Sequence, residues 1–232
     1  MGAFRFKQFA VEQDGVAMKV GTDGVLLGAW AECDNVSRVL DIGTGTGLIA
    51  LMVAQRSVAE RVVGIDIDGA AASCAATNFA LSPWAERLEV YHTSAQEFDG
   101  GTVDLILSNP PYFVDSLLCP DNQRSVARHT TELTFEELDS AVCRLLDRER
   151  GRFALILPKE QMERYLSITK LVVVRRCDVY PLPDRDVKRV MVELAFSASG
   201  EVEYQSLVIE NGARGDYNEQ YRELTKDFYL KF

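Results

Sequence analysis

Two short stretches gather residues whose types and order can do chemistry. The first is Val39-Leu40-Asp41-Ile42-Gly43-Thr44-Gly45-Thr46-Gly47, in which an apolar run ends in an acid and glycine then recurs at every second position. Leu48, Leu51 and Met52 follow at helical spacing, so the stretch reads as a strand, a tight loop and a helix start. Glycine has no Cβ and lets a ligand approach the backbone closely. The helix start points its unpaired N–H groups into the same space. The expectation is a ligand site at the mouth of a βα unit. The second stretch is Val103-Asp104-Leu105-Ile106-Leu107-Ser108, an apolar strand that runs straight into Asn109-Pro110-Pro111-Tyr112. Two prolines fix the backbone there and bias Asn109 toward an extended conformation. A purely structural turn would not need an asparagine, two prolines and an aromatic in that order.

The glycine spacing bears on the ligand. A dinucleotide fingerprint is G-x-G-x-x-G, and glycines at 43, 45 and 47 miss the third offset, while Asp41 is foreign to that pattern. The order D-x-G-x-G-x-G instead resembles motif I of class I S-adenosylmethionine (SAM) methyltransferases. In that family the acid faces the amino end of the methionine and the glycines pass under the ribose, so the resemblance implies SAM as cofactor, held by Asp41, Gly43, Gly45 and Gly47. Val62-Val63-Gly64-Ile65-Asp66 is a second apolar run ending in an acid, the pattern of a parallel strand buried on both faces. An acid there can accept both ribose hydroxyls, which serves SAM and NAD alike. Beyond a third strand, 88–92, Thr93–Phe98 resembles the family's adenine-binding turn. Ser94 stands about where many relatives carry Asp, which leaves the backbone of Ala95 as the alternative contact. Thr22 and Asp23 fall in a stretch that lies beside SAM in such enzymes; Asp23 equally suits an N-cap for the apolar run after it. Asp68 reads as the N-cap of an alanine-rich helix over 70–80.

Asn109-Pro110-Pro111-Tyr112 matches motif IV of methyltransferases that act on planar nitrogens: the exocyclic amines of adenine or cytosine, or a glutamine amide. The chemistry explains the residue types. The lone pair of such an amine is delocalised and poorly nucleophilic. The Asn109 side-chain oxygen and the Pro110 carbonyl can each accept one amine hydrogen, which favours a pyramidal nitrogen and aims its lone pair at the SAM methyl. Tyr112 can stack on a base face. Asn109, Pro110 and Tyr112 are therefore the catalytic candidates, with Asn109 also facing the cofactor. Pro111 and Phe113 join Tyr112 as substrate contacts.

The elements that must position these residues alternate strand and helix. Strands are expected over 152–157, 172–174 and 187–196, the last two forming an antiparallel edge hairpin that 207–209 extends. Thr134-Phe135-Glu136-Glu137 is a capping box opening a helix over 135–146, and a further helix spans 159–168. Residues 4–9 alternate aromatic and polar, as a half-buried strand would, either as cover for the core or as a basic, aromatic lip for a stacked base. Asp14-Gly15 signals a hairpin turn. The fold class is α/β: a Rossmann-like, mostly parallel seven-stranded sheet with helices on both faces. Without repeats or a linker, residues 1–232 read as one domain, in which 1–30 cover the cofactor and substrate and 217–232 form an aromatic tail.

A formal net charge of −10 opposes nonspecific nucleic-acid binding. Residues 175–189 nonetheless hold Arg175, Arg176, Arg185, Lys188 and Arg189 against three acids, a local basic patch. Arg124 and Arg128 in the loop 113–131 are phosphate candidates beside Lys188 and Arg189. Five widely spaced cysteines without a C-x-x-C read as reduced thiols of a cytoplasmic protein. No apolar run approaches a membrane span, and the two histidines show no metal-ligand spacing. Neither membrane nor metal is an expected partner, and a monomer is expected.

Phe4–Phe9, Met18–Trp30, Asp41–Leu51, Ser108–Phe113, Ala127-Arg128-His129-Thr130 and Leu224–Phe232 together resemble the bacterial tRNA(Val) adenine-37 N6-methyltransferase family, over essentially the whole chain. The resemblance implies SAM-dependent methylation of the purine just 3′ of the anticodon, with the anticodon stem-loop as partner. A base in a single-stranded loop can be unstacked into a pocket at modest cost. Three other readings stay open: a protein glutamine methyltransferase, which shares Asn-Pro-Pro-Tyr; an RNA-binding protein with a vestigial cofactor site; and an NAD dehydrogenase.

Overall fold

A computed structural model describes residues 2–111, 133–198 and 200–231. The short strands β1 (Phe4–Arg5) and β2 (Ala10–Val11) pair antiparallel as a small sheet of their own. Helix α1 (Thr22–Trp30) leads into β3 (Arg38–Ile42), α2 (Leu48–Arg56), β4 (Arg61–Asp66), α3 (Gly69–Ala80), β5 (Leu88–His92) and β6 (Leu105–Ser108). Then come α4 (Phe135–Leu145), β7 (Arg152–Pro158), α5 (Lys159–Ile168), β8 (Val172–Tyr180), β9 (Arg189–Ala195), β10 (Glu203–Val208) and α6 (Glu219–Thr225).

The main sheet runs β10-β8-β9-β7-β6-β3-β4-β5, parallel except where β9 lies antiparallel between β7 and β8. The seven expected strands are present, and β10 adds an eighth, parallel to β8, so the β8–β9 hairpin does not itself form the edge. The strands read as unbroken apolar runs because both faces are covered. Val39, Val62 and Leu105 point into one cluster with α1 and α2; Leu40, Val63 and Ile106 point into the other with α4 and α5. The local caps follow the sequence. Asp68 accepts from Ala70 N, and Thr134 and Glu137 close a reciprocal capping box.

Chain order places β4 and β5 on one side of β3 and β6 on the other. Connections therefore leave the carboxyl ends of β3 and β6 in opposite directions, which opens a crevice between those two ends, where α/β sheets bind ligands.

Three expectations need correction. Residues 4–9 are not one strand: the chain turns within them, Phe6 N donating to Phe9 O at 2.8 Å. Phe6 and Phe9 are buried, Phe6 against Tyr229 and Phe9 against Trp84, so only Phe4 and Arg5 remain for a lip. Asp23 is no N-cap; Gly21 holds that position and Asp23 lies in the first turn of α1. Most of the basic patch is consumed internally. Arg175 lies over the Trp30 ring at 4.3 Å and beside Glu193, and Arg176 pairs with Asp178 at 2.8 Å.

Candidate active site

The loop after β3 is held from three sides. Gly43, Gly45 and Gly47 all take positive φ. At Gly47 the need for glycine is double, since a Cβ there would also lie 2.4 Å from the Phe79 ring. The amides of Gly43 and Thr44 both donate to Ile65 O, at 2.9 and 3.0 Å. Gly45 N donates to Asp66 Oδ2 at 2.8 Å, and Asp68 N to Asp66 Oδ1 at 2.9 Å. From α3, Asn78 donates to Thr46 O and to Glu12 O, while accepting from Glu12 N. This buried asparagine ties the N-terminal segment, the glycine loop and α3 together. Its only trace in the sequence is a polar residue on the small-residue face of an alanine-rich helix.

Asp41 lies beneath the loop. It is fully buried, its Oδ2 accepts from Thr44 Oγ1 at 2.7 Å, and its Oδ1 has no hydrogen-bond partner. Burial pushes its carboxyl up to about 7, the Thr44 hydrogen bond works against that rise, and the nearby Asp66 charge adds to it. Asp41 and Gly47 do not line the cavity. Through its Oδ2, Asp41 reaches the loop by way of Thr44, while its Oδ1 keeps acceptor capacity beneath the glycines.

Above the loop lies a cavity of about 1310 Å³ along the carboxyl ends of the sheet. Thr22, Gly43, Gly45, Asp66, Ser94, Ala95, Asn109, Pro110, Pro111, Lys188 and Arg189 all line it. Tyr112, Phe113, Arg124 and Arg128 lie outside the described residues. Ser94 spends its hydroxyl on Glu97, accepting from the Glu97 amide and lying 3.1 Å from its carboxylate. The buried Ala95 has its carbonyl taken by Arg144 Nη2 at 2.8 Å, which leaves its amide as the backbone contact. Ser108 Oγ donates to Ile42 O at 2.9 Å, which locks the β6 end carrying Asn109 to the β3 end carrying the glycines. Arg189 Nε donates to Asp23 Oδ2 at 2.9 Å across the cavity wall, both side chains largely buried. Lys188 is exposed.

Sequence reasoning missed two contributors. Gly24 and Gly28 sit one turn apart on α1, and Cβ atoms there would lie 3.2 Å from Leu48 and 2.8 Å from Met52 of α2. That close crossing carries Thr22 and Asp23 over the glycine loop and brings Asn109 Nδ2 to 4.0 Å from the place of a Gly24 Cβ. The second contributor is a wall of Phe4, Tyr217, Tyr221 and Tyr229. Tyr217 stacks on Tyr221, and Tyr221 donates to the Tyr229 hydroxyl at 3.3 Å. The aromatic content of the tail was readable; its return to the cavity was not.

The residues fit SAM. A Cβ on Gly43 or Gly45 would meet nothing within 4 Å, so the loop faces open space, with the Asp66 carboxylate beside it and the start of α2 behind it. Fold and site together define a class I SAM-dependent methyltransferase.

A family model described as methyltransferase small domain matches residues 21–129. Among solved structures, a predicted O-methyltransferase of Agrobacterium tumefaciens superposes with a TM-score of 0.69 at 17% identity, covering 89% of this chain and 96% of that one. The ribosomal protein L11 methylase of Lactobacillus delbrueckii gives 0.54 at 18% identity, covering 78% and 82%. Both show the fold. The tRNA1(Val) (adenine(37)-N6)-methyltransferase of Bacteroides thetaiotaomicron is 46% identical, covering 98% of this chain and 97% of its own length. The protein of the same name from Parabacteroides distasonis is 47% identical, with 98% of both chains covered. The chain belongs to the tRNA1(Val) (adenine(37)-N6)-methyltransferase family.

Proposed function

We propose that this protein transfers a methyl group from SAM to N6 of adenine 37 beside the anticodon of a valine tRNA. The observation that carries the chemistry is the placement of Asn109 and Pro110 in the same cavity as the glycine loop, on the adjacent strand end. When bound, SAM supplies a methyl group on a sulfonium, an electrophile that needs no activating base. The Gly43–Gly47 backbone, Asp66 and the Ser94–Ala95 turn hold the cofactor, and Thr22 covers it from α1. Asn109 Oδ1 and the Pro110 carbonyl accept the two amine hydrogens, which orients the target nitrogen; positioning of this kind supplies most of the acceleration. Tyr112, with Pro111 and Phe113, packs on the base; Lys188, Arg124 and Arg128 meet phosphates, and Arg189, paired with Asp23, adds its charge to the same edge. Residues 1–232 act as one domain and a monomer, in the cytoplasm where tRNA is found. No helix among the described residues is long and apolar enough to cross a membrane.

The test is transfer of labelled methyl from SAM to unmodified tRNA, followed by nucleoside digestion. Asn109→Ala should lower the rate on the order of 10²-fold or more, with SAM affinity retained. Full activity in that variant, or label on protein glutamine and none on RNA, would overturn the assignment.

A further inference from the structure

We infer that the N-terminal hairpin and the C-terminal segment together form a docking lip for the single-stranded nucleotides that flank the target adenine. The two segments are joined as one unit. Lys7 N donates to Phe228 O at 2.8 Å, Lys7 Nζ donates to Lys226 O at 2.5 Å, and the Phe4 and Tyr229 rings lie 6.4 Å apart. Phe4, Arg5, Leu230 and Lys231 all line the cavity from this side. Leu230 is 59% exposed, a large apolar side chain held at the cavity mouth, and the exposed cations Arg5 and Lys231 accompany it. Apolar and aromatic surface flanked by cations is the chemistry that binds an unpaired strand: bases pack on the former and phosphates meet the latter. Arg5 and Lys231 face the cavity while the exposed acids of the same tail, Glu223 and Asp227, do not line it, and phosphate is the partner that complements the two cations.

Size and continuity support the same occupant. A cavity of about 1310 Å³ exceeds the roughly 300–1,000 Å³ usual for one small ligand, so it has room for a nucleotide beside the cofactor. The lip borders the same cavity as Asn109, within reach of a strand whose base occupies it. The inference rests on the tRNA reading and adds a second RNA contact surface, remote in sequence from Lys188 and Arg189.

The experiment compares wild type with Arg5→Glu/Lys231→Glu and, separately, Leu230→Ala. KM and kcat are measured for unmodified valine tRNA, the salt dependence of RNA binding is followed with an anticodon stem-loop RNA, and SAM affinity is measured by calorimetry. The charge reversal should raise KM for tRNA about tenfold or more and reduce the salt slope by roughly 0.7 per lost phosphate contact, with kcat and SAM affinity unchanged. Leu230→Ala should raise KM severalfold without altering the salt slope. Wild-type transfer to tRNA with unchanged KM and slope in both variants would overturn the lip alone. Absence of wild-type transfer to any tRNA would overturn the functional reading and the lip with it. A loss of SAM affinity equal to the loss of RNA affinity would reduce the lip to a structural brace.

Discussion

The amide of Gly45 donates to Asp66 Oδ2 at 2.8 Å, joining the middle of the glycine loop to the end of the neighbouring strand. The two are a single device: the acid proposed to take the ribose hydroxyls also sets the conformation of the glycine loop. Asp66→Ala should therefore weaken SAM binding about tenfold or more, since hydrogen bonds to charged groups contribute about 1.5–3 kcal/mol each. Asp66→Asn keeps one acceptor and should lose less. Calorimetry decides, and equal affinities for the two variants would separate the loop from the acid.

Asp41 makes stability depend on pH in a calculable sense. Its carboxyl is raised to about 7 in the folded protein, against about 3.9 in an unfolded chain. Between those values the unfolded chain has lost the proton and the folded chain keeps it. Folding then binds a proton, and stability falls as pH rises through that window. Asp41→Asn removes the effect. In urea melts without SAM, the variant should gain on wild type on going from about pH 5 to about pH 8; a constant difference would contradict the buried-proton account.

Gly47→Ala should destabilise the protein by about 2 kcal/mol or more, from positive φ and from the clash with Phe79 together. Phe79→Leu in the same chain should recover the steric part and leave the conformational part. A double-mutant cycle without coupling would assign the whole cost to the backbone.

The Arg189–Asp23 pair fastens the start of β9 to the start of α1. Asp23→Asn should raise KM for tRNA a few-fold, as expected for a partly buried pair worth on the order of 1 kcal/mol, with the SAM affinity close to wild type. Lys188→Glu, at an exposed position, should instead act through salt dependence, lowering the slope by roughly 0.7. Identical salt slopes in both variants and wild type would remove this edge from the RNA surface.

What was legible in the sequence is what local chemistry decides. Asp68 and Thr134 announce helix starts because an N-cap bond spans two or three residues. The apolar runs ending at Ile42, Asp66 and Ser108 announce buried parallel strands, and the residues just past them fall at the crevice by topology alone. What was hidden depends on partners far along the chain. Alternation in 4–9 could not say that Phe6 and Phe9 would be covered by Tyr229 and Trp84. Arg175 and Arg176 looked like a basic patch until Trp30, Glu193 and Asp178 arrived beside them. Asp41 carries the motif, but its burial under its own loop and its bond to Thr44 depend on how that loop folds back over it.

The bond from Lys7 to Lys226 joins positions 219 apart. During synthesis, β3 to β6 and both site loops leave the ribosome long before that partner exists. The N-terminal segment can already meet Asn78 and Trp84, but its bond to Lys226 closes late, since a contact of such long range forms slowly. A nascent chain stalled before residue 226 already holds Asn109 and the glycine loop, while Lys7 still lacks its acceptor and the Phe4 side of the cavity lacks Tyr229.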